Sequence, residues 1–461
     1  MKRYSLIGDR NFYRRVLTVM TPVLIQNVIT NFVSLLDNLM VGQIGTEQMS
    51  GVSIVNMLLF VYNLCLFGGM AGPGIFTAQF FGRGDGDGVR HTFRAKLWVG
   101  FGAWITFSLV LLLGGRSLIA LFLHEGEAGL DLQMTMDSGL GYLHVMMLQM
   151  LPFALQQVYA STLRETGETL LPMKAGIIAV FVNLVFNYIL IFGKLGLPAM
   201  GVTGAALATL IARLTELGII FIFTRRNRAR FPFLEGAWRS LRVPGRLLRQ
   251  IAVTGAPLLL NELLWSAGMT ALNQSYSLRG LEVVSALNIS STASNLFFCA
   301  FFSMGSTVAI MIGQLLGAGE LERAVDEDRK LIAFAVALCT AVGVLMVFVA
   351  PLLPELYNTE PEVKALAVRL LWISAAMMPL NGFTNACYFT LRCGGKTIIT
   401  FLFDSAFVWV VCLPVAFVLS RLTALPILPM VVAVNALDLI KCVLGFFLVR
   451  SRKWVNNLVA G

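Results

Sequence analysis

The stretch QFFGRGD, residues 79–85, returns as QLLGAGE at residues 314–320, a fixed 235 positions further on. Working outward at that offset, Ile54 falls on Ile289, Ser50 on Ser285, Gly45 on Gly280, Asn38 on Asn273 and Pro22 on Pro257, without a gap. Apolar composition alone repeats hydrophobicity; it does not repeat Asn, Gln, Gly and Pro in one register. The chain therefore contains two copies of one unit. A shorter correspondence agrees: Leu163-Arg164, Gly167 and Thr169 recur as Leu391-Arg392, Gly395 and Thr397. Its offset is 228, so the halves differ by small deletions in their third and fourth spans.

Composition places both copies in a membrane. The chain is 57% hydrophobic and 13% charged, with a mean hydropathy of +0.78, whereas a soluble domain carries roughly 25% charged residues. Apolar runs of about 20 residues, enough to cross roughly 30 Å of hydrocarbon, predict twelve helical spans. They lie near 16–40, 50–76, 95–120, 138–161, 173–193, 201–224, 250–275, 286–312, 331–353, 365–391, 398–419 and 427–449. The expected fold is an all-α integral membrane protein, six spans to a lobe. An even number of spans per copy relates the lobes by a pseudo-two-fold axis along the membrane normal, with a cavity where they face each other. The expected domains are residues 1–224, an Arg-rich linker 225–249, and residues 250–461.

Basic residues set the expected orientation. Lys2, Arg3, Arg10, Arg14 and Arg15 precede the first span, and Arg83, Arg90, Arg94 and Lys96 follow the second. The linker holds Arg225, Arg226, Arg228, Arg230, Arg239, Arg242, Arg246 and Arg249 against one acid, Glu235. Alternate breaks carry Glu125, Glu127 and Asp131, or Glu355, Glu360 and Glu362. By the positive-inside rule both termini and the linker face the cytoplasm, and the net charge of +10 is mostly a topology signal. The linker is short and has no nucleic-acid-binding motif. Residues 16–36 run into the repeat without a small-residue cleavage site and read as a first span, not a leader. Seven cysteines show no metal spacing and read as packing residues. His91, His124 and His144 are scattered, which leaves a membrane-embedded enzyme without a nucleophile–base constellation. No Walker A sequence is present, and no cofactor is expected.

Carboxylates inside spans cost roughly 2.5–3.5 kcal/mol on insertion scales, so they face a cavity, pair or titrate. Asp37, Glu262, Asp404 and Asp438 qualify. Asp438 lies three residues before Lys441, helical spacing for an ion pair. Glu262 lies roughly 20 Å past Arg249 along the helix with no Lys or Arg within one turn, so it is a candidate for proton exchange. Asn183 and Asn187 share one helix face at i, i+4 spacing. With Asp37 they would form an oxygen cage for a small hard cation such as Na⁺, or a network around a titrating acid. Asn residues that merely tie helices together are the plainer alternative. Gln26, Asn261, Asn381 and the methionines Met147 and Met377 are candidate cavity residues, with Met146, Met150 and Met378 beside the latter two.

These residues resemble the multidrug and toxic compound extrusion (MATE) family. The doubled 79–85 and 314–320 motifs resemble its paired signature. LDNLMVGQIG at 36–45, NYILIFG at 187–193 and GVTGAALAT at 201–209 resemble its spans 1, 5 and 6. Pro257, Asn261, Glu262 and Trp265 resemble its span 7, and Trp372 to Thr397 its span 10. The resemblance covers the whole chain and implies export of organic, usually cationic, compounds in exchange for Na⁺ or H⁺. Asp37 matches the family's span-1 acid and Glu262 its span-7 acid. Asn187 stands where the DinF-like branch has Asp, so the pattern is closer to NorM-like proteins; Asn381 stands where those have a span-10 acid, with Asp404 as a substitute. The implied partners are small organic cations and membrane lipid, for a monomer in the inner membrane. The alternative is a lipid-linked saccharide flippase of the same superfamily, which would favour a basic cavity and two further spans.

Overall fold

The computed structural model describes residues 6–122, 132–357 and 359–460. Lys2, Arg3, His124, Glu125, Glu127, Asp131 and the side chain of Asn38 lie outside the described residues. With no water in the hydrocarbon to satisfy backbone groups, an apolar chain of this kind satisfies them within helices. Among the described residues there are twelve long helical rods and no strand. In the first repeat these are α1 Arg10–Gly42, α2 Thr46–Arg83, α3 Gly86–Ala120, α4 Leu132–Glu165, α5 Leu170–Phe192 and α6 Gly201–Arg226. The second repeat contributes α7 Gly245–Ser277, α8 Leu281–Gly317, α9 Leu321–Val349, α10 Pro361–Cys393, α11 Thr397–Leu422 and α12 Ile427–Arg450. Ten of them are long and apolar enough to cross a membrane by length and composition. The other two, α1 and α7, open the two repeats and carry the polar residues Gln26, Asn27 and Asp37, and Asn261, Glu262, Asn273 and Gln274.

Several helices run past the apolar segments the sequence marks. The clearest is α9, which begins at Leu321, not 331; hydropathy registers the lipid-facing turns, whereas the helix continues through polar turns that pack on neighbours. The stops are written in the repeated motifs. Gly84 and Gly319 both adopt φ +78°, a left-handed conformation that glycine enters without Cβ strain. Around them Gly84 N donates to Phe81 O and Asp85 N to Phe80 O, and Gly319 N to Leu316 O and Glu320 N to Leu315 O. These are paired Schellman caps. Gly167 and Gly395, at φ +84° and +76°, close α4 and α10 with the same pair of bonds.

The chain divides into two compact units, Met1–Leu24 with Ala78–Asp85 and Ile251–Gly461, and Ile25–Thr77 with Gly86–Gln250. The border at Gln250 and Ile251 lies within α7, and α1 and α2 each contribute to both units. In the first unit α10 packs on α8, α9 and α12, and Phe12, Val16 and Met20 of α1 join a core with Met304, Leu331, Phe389 and Trp454. The end of α2 crosses the end of α8 here at glycines. A Cβ on Gly82 would fall on the Gln314 carbonyl, and one on Gly317 on the Gln79 carbonyl. Gln79, fully buried, donates to Cys393 O at 3.0 Å and Asn456 O at 3.2 Å and accepts from Leu458 N at 2.7 Å. In the second unit α5 packs on α6, and α4 on α3 and α6. Gly204 permits the α5–α6 approach, since a Cβ there would lie 2.7 Å from Leu190 O.

Candidate functional site

The second unit brings Asp37, Asn183 and Asn187 together. Asn187 Nδ2 donates to Asp37 Oδ1 at 2.7 Å and to Asn183 Oδ1 at 3.2 Å. Turning the Asn183 amide over makes its nitrogen a donor to both Asp37 oxygens, at 2.9 and 3.1 Å. Both asparagines are buried, because α5 presents their common face to the interior of the unit. Asn187 Oδ1 is a buried acceptor with no hydrogen-bond partner. The amides thus turn N–H groups toward the Asp37 carboxylate, the arrangement of a hydrogen-bond network; a hard cation there would need the amide oxygens, Asn187 Oδ1 among them, turned toward it instead. Arg213 of α6 lies in the same unit. Its own charge is held by Glu216 at 3.0 Å and its guanidinium lies 4.8 Å from the Phe153 ring centre.

Glu216 escapes a reading by hydropathy alone. It is 2% exposed and accepts from Gln156 Nε2 at 2.8 Å. The nearby Arg213 at i−3 was the available signal, since a basic residue in mid-span requires an acid. Gln26 lies in the same neighbourhood: a Cβ on Gly176 would meet Gln26 Nε2 at 3.0 Å and Glu216 Oε1 at 3.5 Å. Met147 is half-buried, whereas Met146 and Met150 belong to the packed core.

The first unit holds a second polar cluster, centred on Asn261. This side chain is 1% exposed and its Nδ2 donates to Asp404 Oδ2 at 3.1 Å and to the Tyr388 hydroxyl at 3.2 Å. Its Oδ1 accepts from Ser405 N at 3.2 Å and Ser405 Oγ at 2.7 Å. Asp404 and Ser405 sit in a π-helical turn, Leu402–Ala406, followed by another at Val408–Cys412. Such turns are uncommon within α-helices and recur at functional sites. Glu262, the next residue of α7, is half-buried.

One expectation is corrected here. Lys441 pairs with Asp404, Nζ to Oδ1 at 2.7 Å, and not with Asp438, although the spacing suits Asp438. The rod α12 breaks at Leu437, and Asp438 opens its last stretch. Lys441 turns across to α11 instead. Asp404 thus already has a cationic partner. Asn381 and Met377 are half-buried on α10, and Met378 is fully buried in the core. A further buried acid, Asp328, accepts from Thr390 Oγ1 at 2.5 Å; it lies in the part of α9 that the apolar run leaves out. The seven cysteines form no disulfide among the described residues.

Duplicated bundles of membrane-length helices, each holding a half-buried carboxylate against buried asparagine, define a multispanning transporter. The MatE family model matches residues 22–189 and 257–418. The chain belongs to the MATE family, as the doubled signature implied. It is 24% identical over 445 residues to a probable multidrug resistance protein NorM of Thermotoga maritima, spanning 95% of this chain and 92% of that one. It is 25% identical over 462 residues to a probable multidrug resistance protein YoeA of Bacillus subtilis, spanning 97% and 96%. Among solved structures, an outward-facing multidrug resistance MATE family transporter of the MOP superfamily shares the fold, with a TM-score of 0.85 at 20% identity. That match covers 97% of this chain and 98% of the other.

Proposed function

We propose that this protein is a secondary active antiporter that exports organic cations in exchange for Na⁺ or H⁺. Its place would be the inner membrane, with both termini in the cytoplasm. The single observation that supports ion coupling most directly is the Asp37 cluster, a carboxylate hydrogen-bonded by Asn187, whose own buried Oδ1 has no partner. Multidrug resistance is the activity named for the Thermotoga and Bacillus relatives, and family membership carries export to this chain. Coupling then requires that ion and substrate differ in affinity for the two access states. Ion entry at Asp37 neutralises a charge on one unit. Glu262, half-buried on α7, offers the other unit a carboxylate whose charge a bound cation or proton cancels.

Asp37→Asn is expected to weaken the response of dye binding to Na⁺ more than dye binding itself. Titrating a cationic dye into purified protein with and without Na⁺ measures this; an unchanged ion response removes the cage. Glu262→Gln keeps shape and loses titration, and is expected to lower drug export by roughly tenfold or more, about 1.4 kcal/mol in transition-state terms, at equal expression. Wild-type resistance in cells carrying it would exclude the central role of Glu262. The ion is decided in proteoliposomes under a Na⁺ gradient at equal pH: dye export there supports the oxygen cage, and export driven only by a pH gradient assigns the cluster to protons.

A further inference from the structure

The Arg-rich linker is a folded cap. Arg94 of α3 donates to Gly236 O at 3.1 Å, Ala237 O at 3.2 Å and Arg242 O at 3.3 Å, and Phe231, Phe233 and Ala237 are buried beneath it. Two short 3-10 turns, Arg228–Arg230 and Pro232–Leu234, bend the chain back over the end of α6. The fold leaves a cavity of about 260 Å³, into which Arg225, Arg228 and Arg239 contribute and where Glu235 is the one acid among the lining residues. Arg230 is consumed by an ion pair with Glu168. Arg225, Arg228 and Arg239 form no ion pair with a carboxylate among the described residues.

The surroundings place this cavity at the boundary between polar and apolar surface. Trp238 and Trp98 are 45% and 58% exposed. Their indole N–H groups are nonetheless satisfied inward, Trp238 by Tyr159 OH at 2.7 Å and Trp98 by Leu241 O at 2.9 Å. Indoles that bind inward and show their rings outward are the side chains of a membrane interface. On the last turns of α6, Phe221, Ile222 and Phe223 are exposed, an apolar strip leading up to the arginines.

We propose that this cavity binds the phosphate headgroup of an anionic membrane lipid. Three arginines supply charge and planar N–H donors for phosphate oxygens, and basic pockets beside spanning helices at the cytoplasmic surface recognise such headgroups. The exposed strip of α6 takes the acyl chains. Charge complementarity and the adjoining apolar strip favour a lipid over a soluble phosphate, which has no use for the strip.

The test uses the full-length protein in nanodiscs of phosphatidylcholine with or without phosphatidylglycerol, read by thermal unfolding and by lipid retained in native mass spectrometry. Wild type is expected to retain phosphatidylglycerol and to melt several degrees higher with it. The triple variant Arg225→Gln, Arg228→Gln, Arg239→Gln is expected to lose both effects, with apparent affinity down roughly tenfold or more. Arg246→Gln with Arg249→Gln, equally basic but outside the cavity lining, should behave as wild type. Glu235→Gln removes the opposing charge and should retain more phosphatidylglycerol, a readout that survives if the triple variant fails to fold. Equal retention by wild type, the triple variant and Glu235→Gln overturns the site. Stabilisation by free glycerol phosphate equal to that by the lipid overturns the lipid assignment and gives the cavity to a soluble ligand.

Discussion

Gly82→Ala is expected to lower stability by about 3 kcal/mol, at the upper end of overpacking costs, because the atom its Cβ meets cannot yield. That atom is the Gln314 carbonyl oxygen, part of the α8 backbone. Relief requires the ends of α2 and α8 to separate. Separation in turn strains the bonds of Gln79 to Cys393, Asn456 and Leu458, and that of Asn457 Nδ2 to Gly317 O at 3.2 Å. Gly317→Ala repeats the clash against Gln79 O and should cost a similar amount. The double variant should cost less than the sum, since both residues serve one crossing. Gly86→Ala is the control, because a Cβ there meets nothing within 4 Å. Thermal unfolding of detergent-solubilised protein by size-exclusion chromatography measures all four. A Gly82→Ala protein that melts with the Gly86→Ala control would mean that the helices do not meet at these glycines.

The same crossing shows why the duplication was legible. A Schellman cap needs glycine at the left-handed position, and a backbone-to-backbone crossing needs glycine at the contact, so Gly82, Gly84, Gly317 and Gly319 report local geometry that side-chain exchange cannot hide. The pairing of Asn183 with Asn187 was legible for a related reason, since one helix face is a matter of spacing. Partners drawn from different helices were not. Lys441 reaches Asp404 across 37 positions, and Asn261 reaches the same carboxylate across 143; no periodicity encodes either. Asp328 escaped because hydropathy marks the lipid-facing part of a helix, and α9 begins earlier.

Lys441→Met is expected to cost about 3–5 kcal/mol, the effect of stranding one member of a buried ion pair. The side chains of Lys441 and Asp404 are only 13% and 18% exposed, so the smaller value of a surface pair, about 0–1 kcal/mol, does not apply. Without the ammonium, Asp404 keeps one hydrogen bond from Asn261 and lies on a helix whose Phe403 ring had been stacked 5.3 Å from Lys441 Nζ. Lys441→Met combined with Asp404→Asn should recover most of the loss, because the amide oxygen still accepts from Asn261 and no charge remains unpaired. Melting temperatures of the two single variants and the double variant complete the cycle; a loss below about 1 kcal/mol in Lys441→Met would show a pair screened by solvent. Binding of a cationic dye separates the roles left to Asp404. If its carboxylate borders the substrate path, Lys441→Met should bind the dye more tightly than wild type, since the resident cation no longer competes for it, and the double variant should lose that gain. Equal dye affinity in all three proteins would confine the pair to holding α11 against α12.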